Sequence, residues 1–383
     1  METLIPIIII LIASLLISHI FNKIGVPAVL GILVLGVILG PGVTNIIKPT
    51  HLIEVFAEIG VILLMFIAGL ESDLKLLKKY FRPSMIVAIL GVVIPLGSVF
   101  IFNYFFGFSL KENIFVAIVF AATSVSISVE VLKSLNYLST IAATTILGAA
   151  VADDIMAIFL LSVMTGSLTG TLSVTGMIIM VLSWVVFFVL SYFAIVKLIP
   201  YLNHVGSKMI ASQSTIITAL SICFLMAFLA DWVRLDAVLG AFLAGIAYSE
   251  VKNKEEINNS IQTIGYSIFI PIFFVSIGLN ISFDSLGKDL FLIISLTVIG
   301  ILGKLLGSGF GAKLSGFSLD DSYIIGSGMI SRGEMALIIA QAGFSANLMS
   351  REYYSAIIFA VVLTTLLAPL ILRHAILRKS NHK

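Results

Sequence analysis

The run Ile146-Leu147-Gly148-Ala149-Ala150-Val151-Ala152-Asp153-Asp154-Ile155-Met156-Ala157-Ile158-Phe159-Leu160-Leu161 sets two adjacent carboxylates inside an apolar stretch long enough to cross a membrane. A carboxylate at bilayer depth is costly, so an intramembrane acid marks a functional site by default, with proton relays and cation pathways foremost. Composition supplies the setting. With 60% hydrophobic and 11% charged residues over 383 positions, the chain carries more apolar surface than one soluble core buries. It reads as an all-α polytopic membrane protein.

Several classes fall away. The formal net charge is +2, and the positive residues sit in short segments between apolar runs, so no nucleic-acid partner is expected. The single cysteine, Cys223, allows no internal disulfide. Met1-Glu2 offers no positive n-region, so the run from Leu4 reads as a retained helix rather than a cleaved signal. No soluble cofactor motif is evident, since Gly307-Ser308-Gly309 lies within a span and not at a strand-to-helix turn.

A span needs about 20 apolar residues. Division at Pro, Gly and charged punctuation yields thirteen spans, at 4–21, 27–46, 52–70, 83–106, 113–132, 140–165, 172–199, 211–230, 235–249, 262–280, 290–312, 322–346 and 353–372. Lys and Arg number 15 in the loops on one side and 5 on the other, which puts the N-terminus outside and the C-terminus in the cytoplasm. Span 5 carries Thr123-Ser124-Val125-Ser126-Ile127-Ser128, and span 12 carries Gly326-Ser327-Gly328 followed by Ser331-Arg332-Gly333-Glu334. Interruptions of this kind at matching places in two halves point to a transporter site built from discontinuous helices. The offset of seven spans is odd, so the two run in opposite directions, as an inverted repeat requires. Spans 4–6 then pair with spans 11–13, and span 7 connects them. One such stretch alone would read as helix packing; two flanking the acidic span do not.

Lys304, near the middle of span 11, must lose its proton or find a carboxylate. Neighbouring helical residues point about 100° apart, so one of Asp153 and Asp154 pairs with Lys304 while the other faces a water-filled cavity. Arg332 and Glu334 diverge on an intact helix, which leaves Glu130 in span 5 as the expected partner of Arg332, a structural ion pair. The deep acids Glu130, Asp153, Asp154 and Glu334 exceed the bases Lys304 and Arg332 by two charges, to be met by protons or a metal cation. Glu54 and Glu58 are read as solvated or structural.

These residues carry a resemblance. Gly25-Val26-Pro27, Leu39-Gly40-Pro41-Gly42, Glu58-Ile59-Gly60 through Gly69-Leu70-Glu71, Ala122-Thr123-Ser124-Val125-Ser126, Ala152-Asp153-Asp154, Gly240-Ala241-Phe242-Leu243-Ala244-Gly245 and Arg332-Gly333-Glu334 span essentially the whole chain. With them the chain resembles the NapA-type sodium:proton antiporters of the monovalent cation:proton antiporter superfamily. The resemblance implies an NhaA/NapA-like fold with two broken crossing helices, a homodimer, and a multi-pass protein of the bacterial plasma membrane. It assigns residues 1–82 to scaffold and dimerisation helices and 83–166 to the first half of the ion-transport domain. Residues 167–261 hold the connector helix 7 and scaffold helices 8 and 9, and 262–383 hold helix 10 and core helices 11–13, the second half of the transport domain. It maps the ion-binding aspartate onto Asp154 as the sodium ligand, and the salt-bridge exchange onto Asp153 and Lys304. Thr123 and Ser124 fall in the unwound part of span 5 that borders the cation site. The double aspartate is the pattern of electrogenic members.

The implied activity is exchange of cytoplasmic sodium, with lithium as a further ion, for external protons by alternating access, with no enzyme activity and no cofactor. Sodium wants oxygen ligands, and a proton competes for the same carboxylate. Potassium:proton exchange and, further off, sodium-coupled symport on the same fold stay open. An intramembrane aspartyl protease is disfavoured, because its dyad must converge and neighbours on one helix diverge.

Overall fold

The computed structural model describes residues 4–23, 27–169, 173–279, 289–345, 349 and 351–381; Gly25 and Val26 of the sequence reading lie outside the described residues. The helices are α1 (Leu4–Lys23), α2 (Ala28–Leu39), α3 (His51–Glu71), the short α4 (Leu74–Lys79), α5 (Phe81–Phe106), α6 (Leu110–Ala121), α7 (Val125–Ser134), α8 (Ile141–Thr169) and α9 (Val174–Phe193). The chain continues through α10 (Ile199–Gly206), α11 (Ser214–Trp232), α12 (Ala237–Tyr248), α13 (Lys254–Ile264), α14 (Ile270–Leu279), α15 (Leu290–Leu314), α16 (Leu319–Gly328), α17 (Glu334–Ser345) and α18 (Arg351–Asn381). Among the described residues ten helices, some built from consecutive segments, are long and apolar enough to cross a membrane. Two shorter apolar helices, α2 and α12, and the broken pair α16/α17 complete the order of spans read from the sequence.

Several spans extend beyond their expected ends, the thirteenth running on in α18 to Asn381. The seventh runs from α9 into α10 through a π-helical turn at Ala194–Leu198, and the tenth begins at Lys254 and passes through a second such turn at Gly265–Phe269. Each turn is followed by Ile-Pro, at Ile199-Pro200 and Ile270-Pro271. A proline inside a helix lacks an N–H and its ring clashes with the carbonyl four residues back, and a one-turn change of register relieves that clash.

The chain packs as two compact units, residues 1–12, 50–76 and 173–274 in the first and 13–49, 77–172 and 275–383 in the second. In the first unit α3 crosses α12 at two glycines. A Cβ on Gly69 would stand 2.3 Å from the Phe242 carbonyl oxygen, and one on Gly245 would stand 2.2 Å from that of Phe66. No side chain fits there. Residues 262–274 join this unit rather than span 11, because Gln262 Nε2 donates to Glu71 Oε1 at 2.9 Å and the Phe56 and Phe269 rings meet at 5.2 Å. Residues 28–39 join the second unit because α2 packs on α7 and α18. At both places this partition departs from the boundaries expected from the sequence.

The second unit is built around α5 and α15, with α6, α8, α16 and α18 against them. Its apolar core includes Phe115, Val119, Phe120, Leu296, Ile339 and Val361. Both broken spans open on the same device. Ser109 Oγ donates to Glu112 Oε2 at 2.9 Å and accepts the Glu112 N–H, while Ser318 Oγ donates to Asp321 Oδ2 at 2.8 Å and accepts the Asp321 N–H at 3.0 Å. A hydroxyl and an acid three residues apart cap the free N–H groups of a first helical turn.

Candidate functional site

The site lies within the second unit, where both broken spans come apart. The α6 helix ends at Ala121, and Ala122 and Ser124 are extended before α7 resumes at Val125. The α16 helix ends at Gly328, and residues 330–333 are non-helical before α17 begins at Glu334. Local chemistry favours both gaps. Ser and Thr side chains compete for backbone hydrogen bonds, and glycine gives up more conformational freedom in a helix than any other residue.

The unwound stretches run across each other and are laced together. The Ser124 N–H donates to the Ser331 carbonyl at 2.8 Å, and Ser331 Oγ donates back to the Ser124 carbonyl. Ser128 Oγ donates to the Gly328 carbonyl at 2.6 Å, and Thr123 Oγ1 to that of Met329 at 3.4 Å. The crossing thus satisfies groups that the broken helices leave open. It also brings two helix C-termini and two N-termini together, so partial charges of both signs meet in one place.

Beside the crossing lies the acidic helix α8. Lys304 Nζ, in the middle of α15, donates to Asp153 Oδ1 at 2.8 Å, and both side chains are fully buried. The acid that pairs with Lys304 is therefore Asp153. Snorkelling does not apply to a lysine that no solvent reaches. Asp154, one residue on, is only partly buried. The 100° step of the helix thus splits the two acids, one fully buried in an ion pair and the other only partly buried. Asp153 Oδ2 is buried and has no hydrogen-bond partner among the described residues.

Arg332 requires a correction. It is fully buried, and its described hydrogen bonds run to main-chain carbonyls, from Nε and Nη2 to Phe120 at 3.0 and 2.7 Å, from Nη2 to Gly300 at 2.8 Å and from Nη1 to Ile330 at 3.0 Å. Its guanidinium also lies 5.2 Å from the centre of the Phe120 ring. Glu130, the partner expected from the sequence, is not among these. Phe120 sits in the last turn of α6, whose carbonyls have no N–H to accept, and a planar fork of donors answers that end directly. Thr365 Oγ1 in turn donates to the Arg332 carbonyl. The Glu334 side chain lies outside the described residues.

The sequence reading missed Phe120, Gly300 and Thr365. The first two act through backbone oxygen, which leaves no trace in residue type. Thr364-Thr365 inside the apolar thirteenth span was the one available signal. Glu54 and Glu58 are exposed. Among the described residues no group of three His, Cys, Asp or Glu could hold a metal ion. The acids of α8 and the hydroxyls and carbonyls of the crossing are oxygen donors, the ligand type that a hard cation takes.

Comparison with known proteins places this geometry. A family model described as sodium/hydrogen exchanger, transmembrane, matches residues 7–378. A Na(+)/H(+) antiporter of Enterococcus hirae is 47% identical over 366 residues, 95% of this chain and 96% of that one. The Na(+)/H(+)-K(+) antiporter GerN of Bacillus cereus is 40% identical over 365 residues, 95% of this chain and 94% of its own length. The solved structure of the sodium proton antiporter MjNhaP1 from Methanocaldococcus jannaschii at pH 8 superposes with a TM-score of 0.66 at 17% identity, covering 95% of this chain and 94% of that one, which speaks to the fold alone.

Proposed function

Since the chain belongs to the sodium/hydrogen exchanger family and is a multi-pass membrane antiporter of sodium and protons, we propose that Asp154 is the carboxylate for which the two ions compete. Sodium leaves the cytoplasm as protons enter, and lithium is carried as well. The observation that carries this reading is the division of labour on α8, with Asp153 locked to Lys304 in the dry interior and Asp154 left partly accessible beside the crossing. Thr123 and Ser124, with freed carbonyls and water, supply the remaining oxygen ligands. Asp153 and Lys304 form a second, exchangeable proton-linked pair, which makes the cycle electrogenic. Arg332 shapes the crossing and takes no part in carrying ions, and Glu130 and Glu334 serve structure.

The mechanism follows from one exclusion. A buried carboxylate binds a metal ion only when deprotonated. If the site changes sides only when its charge is neutralised by a cation or by protons, exchange results with no separate gate. The second unit, which holds the crossing, is read as the ion-transport domain and the first as scaffold and dimer contacts in a homodimer with its N-terminus outside.

Purified protein in proteoliposomes carrying a pH gradient tests this. Sodium or lithium should collapse the gradient, potassium should not, and Asp154→Asn should abolish the response while remaining folded. Near-normal sodium exchange in that variant contradicts the assignment. Collapse by potassium at equal concentration would favour the potassium reading, a point of interest because the name of the Bacillus cereus relative includes that ion.

A further inference from the structure

One helical turn beyond Lys304 on α15 stands Ser308, fully buried, with no hydrogen-bond partner for its Oγ among the described residues. Two other hydroxyls, Thr297 on the same helix and Ser315 at its C-terminal cap, behave otherwise. Thr297 Oγ1 donates to the Ile293 carbonyl at 2.7 Å, and Ser315 Oγ to the Gly311 carbonyl at 2.8 Å. A buried helical hydroxyl ordinarily takes the carbonyl four residues back. For Ser308 that carbonyl belongs to Lys304, and it is not taken.

The hydroxyl points instead across to α5. A Cβ built on Gly91 would stand 2.3 Å from Ser308 Oγ and 3.9 Å from Lys304 Nζ. Both polar atoms therefore border the one gap that the missing side chain of Gly91 leaves open. Lys304 and Ser308, four apart on a helix, share a face. The ammonium has three donors, of which one is described as bonded, and a hydroxyl has two lone pairs to offer.

Building on the reading above, we propose that Ser308 is a positioning residue of the exchange, its hydroxyl being the second seat of the Lys304 ammonium when the contact with Asp153 opens. An ammonium leaving its carboxylate in a dry interior needs another oxygen at once, because an unpaired buried charge is prohibitive. A hydroxyl with no prior bond can be recruited without breaking one. Gly91 keeps the seat vacant, since any side chain there would meet the hydroxyl.

The test is sodium-driven exchange in proteoliposomes, with turnover and sodium KM measured separately. In Ser308→Ala turnover should fall about fivefold with KM within about twofold, because the step of Lys304 is slowed and the cation ligands are untouched. The melting temperature should equal or exceed the parent's, because a buried, unpartnered hydroxyl has been removed. Gly91→Ala should reproduce the loss, and Gly91→Ala/Ser308→Ala should be no slower than Ser308→Ala, since the new Cβ then stands 3.6 Å from the residue 308 Cβ. Ser315→Ala should change nothing. Parental turnover in Ser308→Ala overturns the inference, as does a turnover loss that tracks a lower melting temperature or independent losses from the two sites. Absence of sodium-driven exchange in the parent would overturn the functional reading itself.

Discussion

A lysine with no solvent exposure and a carboxylate 2.8 Å away form an arrangement that punishes half-measures. Removing one partner of a buried ion pair strands the other and costs about 3–5 kcal/mol, whereas replacing both with neutral groups of similar shape can be nearly neutral. Lys304→Gln should therefore lower the melting temperature more than Lys304→Gln/Asp153→Asn does, and its charge movement per cycle should differ from the parent's. Equal melting temperatures for single and double variants would show that the pair is not felt in the fold. The Arg332 site answers differently. Its fork bonds three carbonyls that no lysine can reach together, so Arg332→Lys should lose most of the stability that Arg332→Ala loses, several times about 1 kcal/mol per lost bond. Glu130→Gln should cost far less than either, and a cost equal to that of Arg332→Ala would restore Glu130 as the partner. Asp153, Asp154 and Lys304 were legible because charge in hydrocarbon is conspicuous. The partners of Arg332 were not, because a carbonyl belongs to every residue alike.

Broken helices are held by exchange of hydrogen bonds between the gaps, and sequence shows the gaps without the exchange. Ser and Gly enrichment in spans 5 and 12 announced interruptions, and the odd offset of seven announced opposite directions. That Ser128 would reach Gly328, and Ser331 would reach Ser124, depends on a register that only packing sets. Ser128→Ala should cost about 1–2 kcal/mol, and Ser128→Ala/Ser331→Ala should cost less than the sum of the single losses, because the two hydroxyls also lie 3.2 Å apart. Additive losses in a denaturation series would argue against a shared network. The π-helical turns were equally hidden, although each stands just ahead of an Ile-Pro pair that, in hindsight, explains it. The caps at Ser109 and Ser318 repeat across the two halves and reinforce the inverted relation between them.

For the molecule as a whole, apolar length and punctuation were enough to order the spans, since each must bridge the same thickness. Allocation of spans to packed units was less legible. Both α2 and residues 262–274 are assigned by contacts between helices far apart in sequence, the kind of information that hydropathy lacks. Orientation rests on the 15 to 5 asymmetry of basic residues and is open to direct test. The native Cys223 is buried, so single cysteines can be introduced against a silent background. A membrane-impermeant thiol reagent applied to intact cells should label Lys48→Cys and spare Lys313→Cys, and the reverse pattern would invert the topology.

Competition between a metal ion and a proton for one carboxylate can be observed without any membrane. Sodium chloride added to the purified protein in weakly buffered detergent solution should release protons, in an amount that saturates with sodium, and Asp154→Asn should release none. Sodium binding detected by calorimetry without proton release, or equal release from the Asp154→Asn protein, would contradict a shared site.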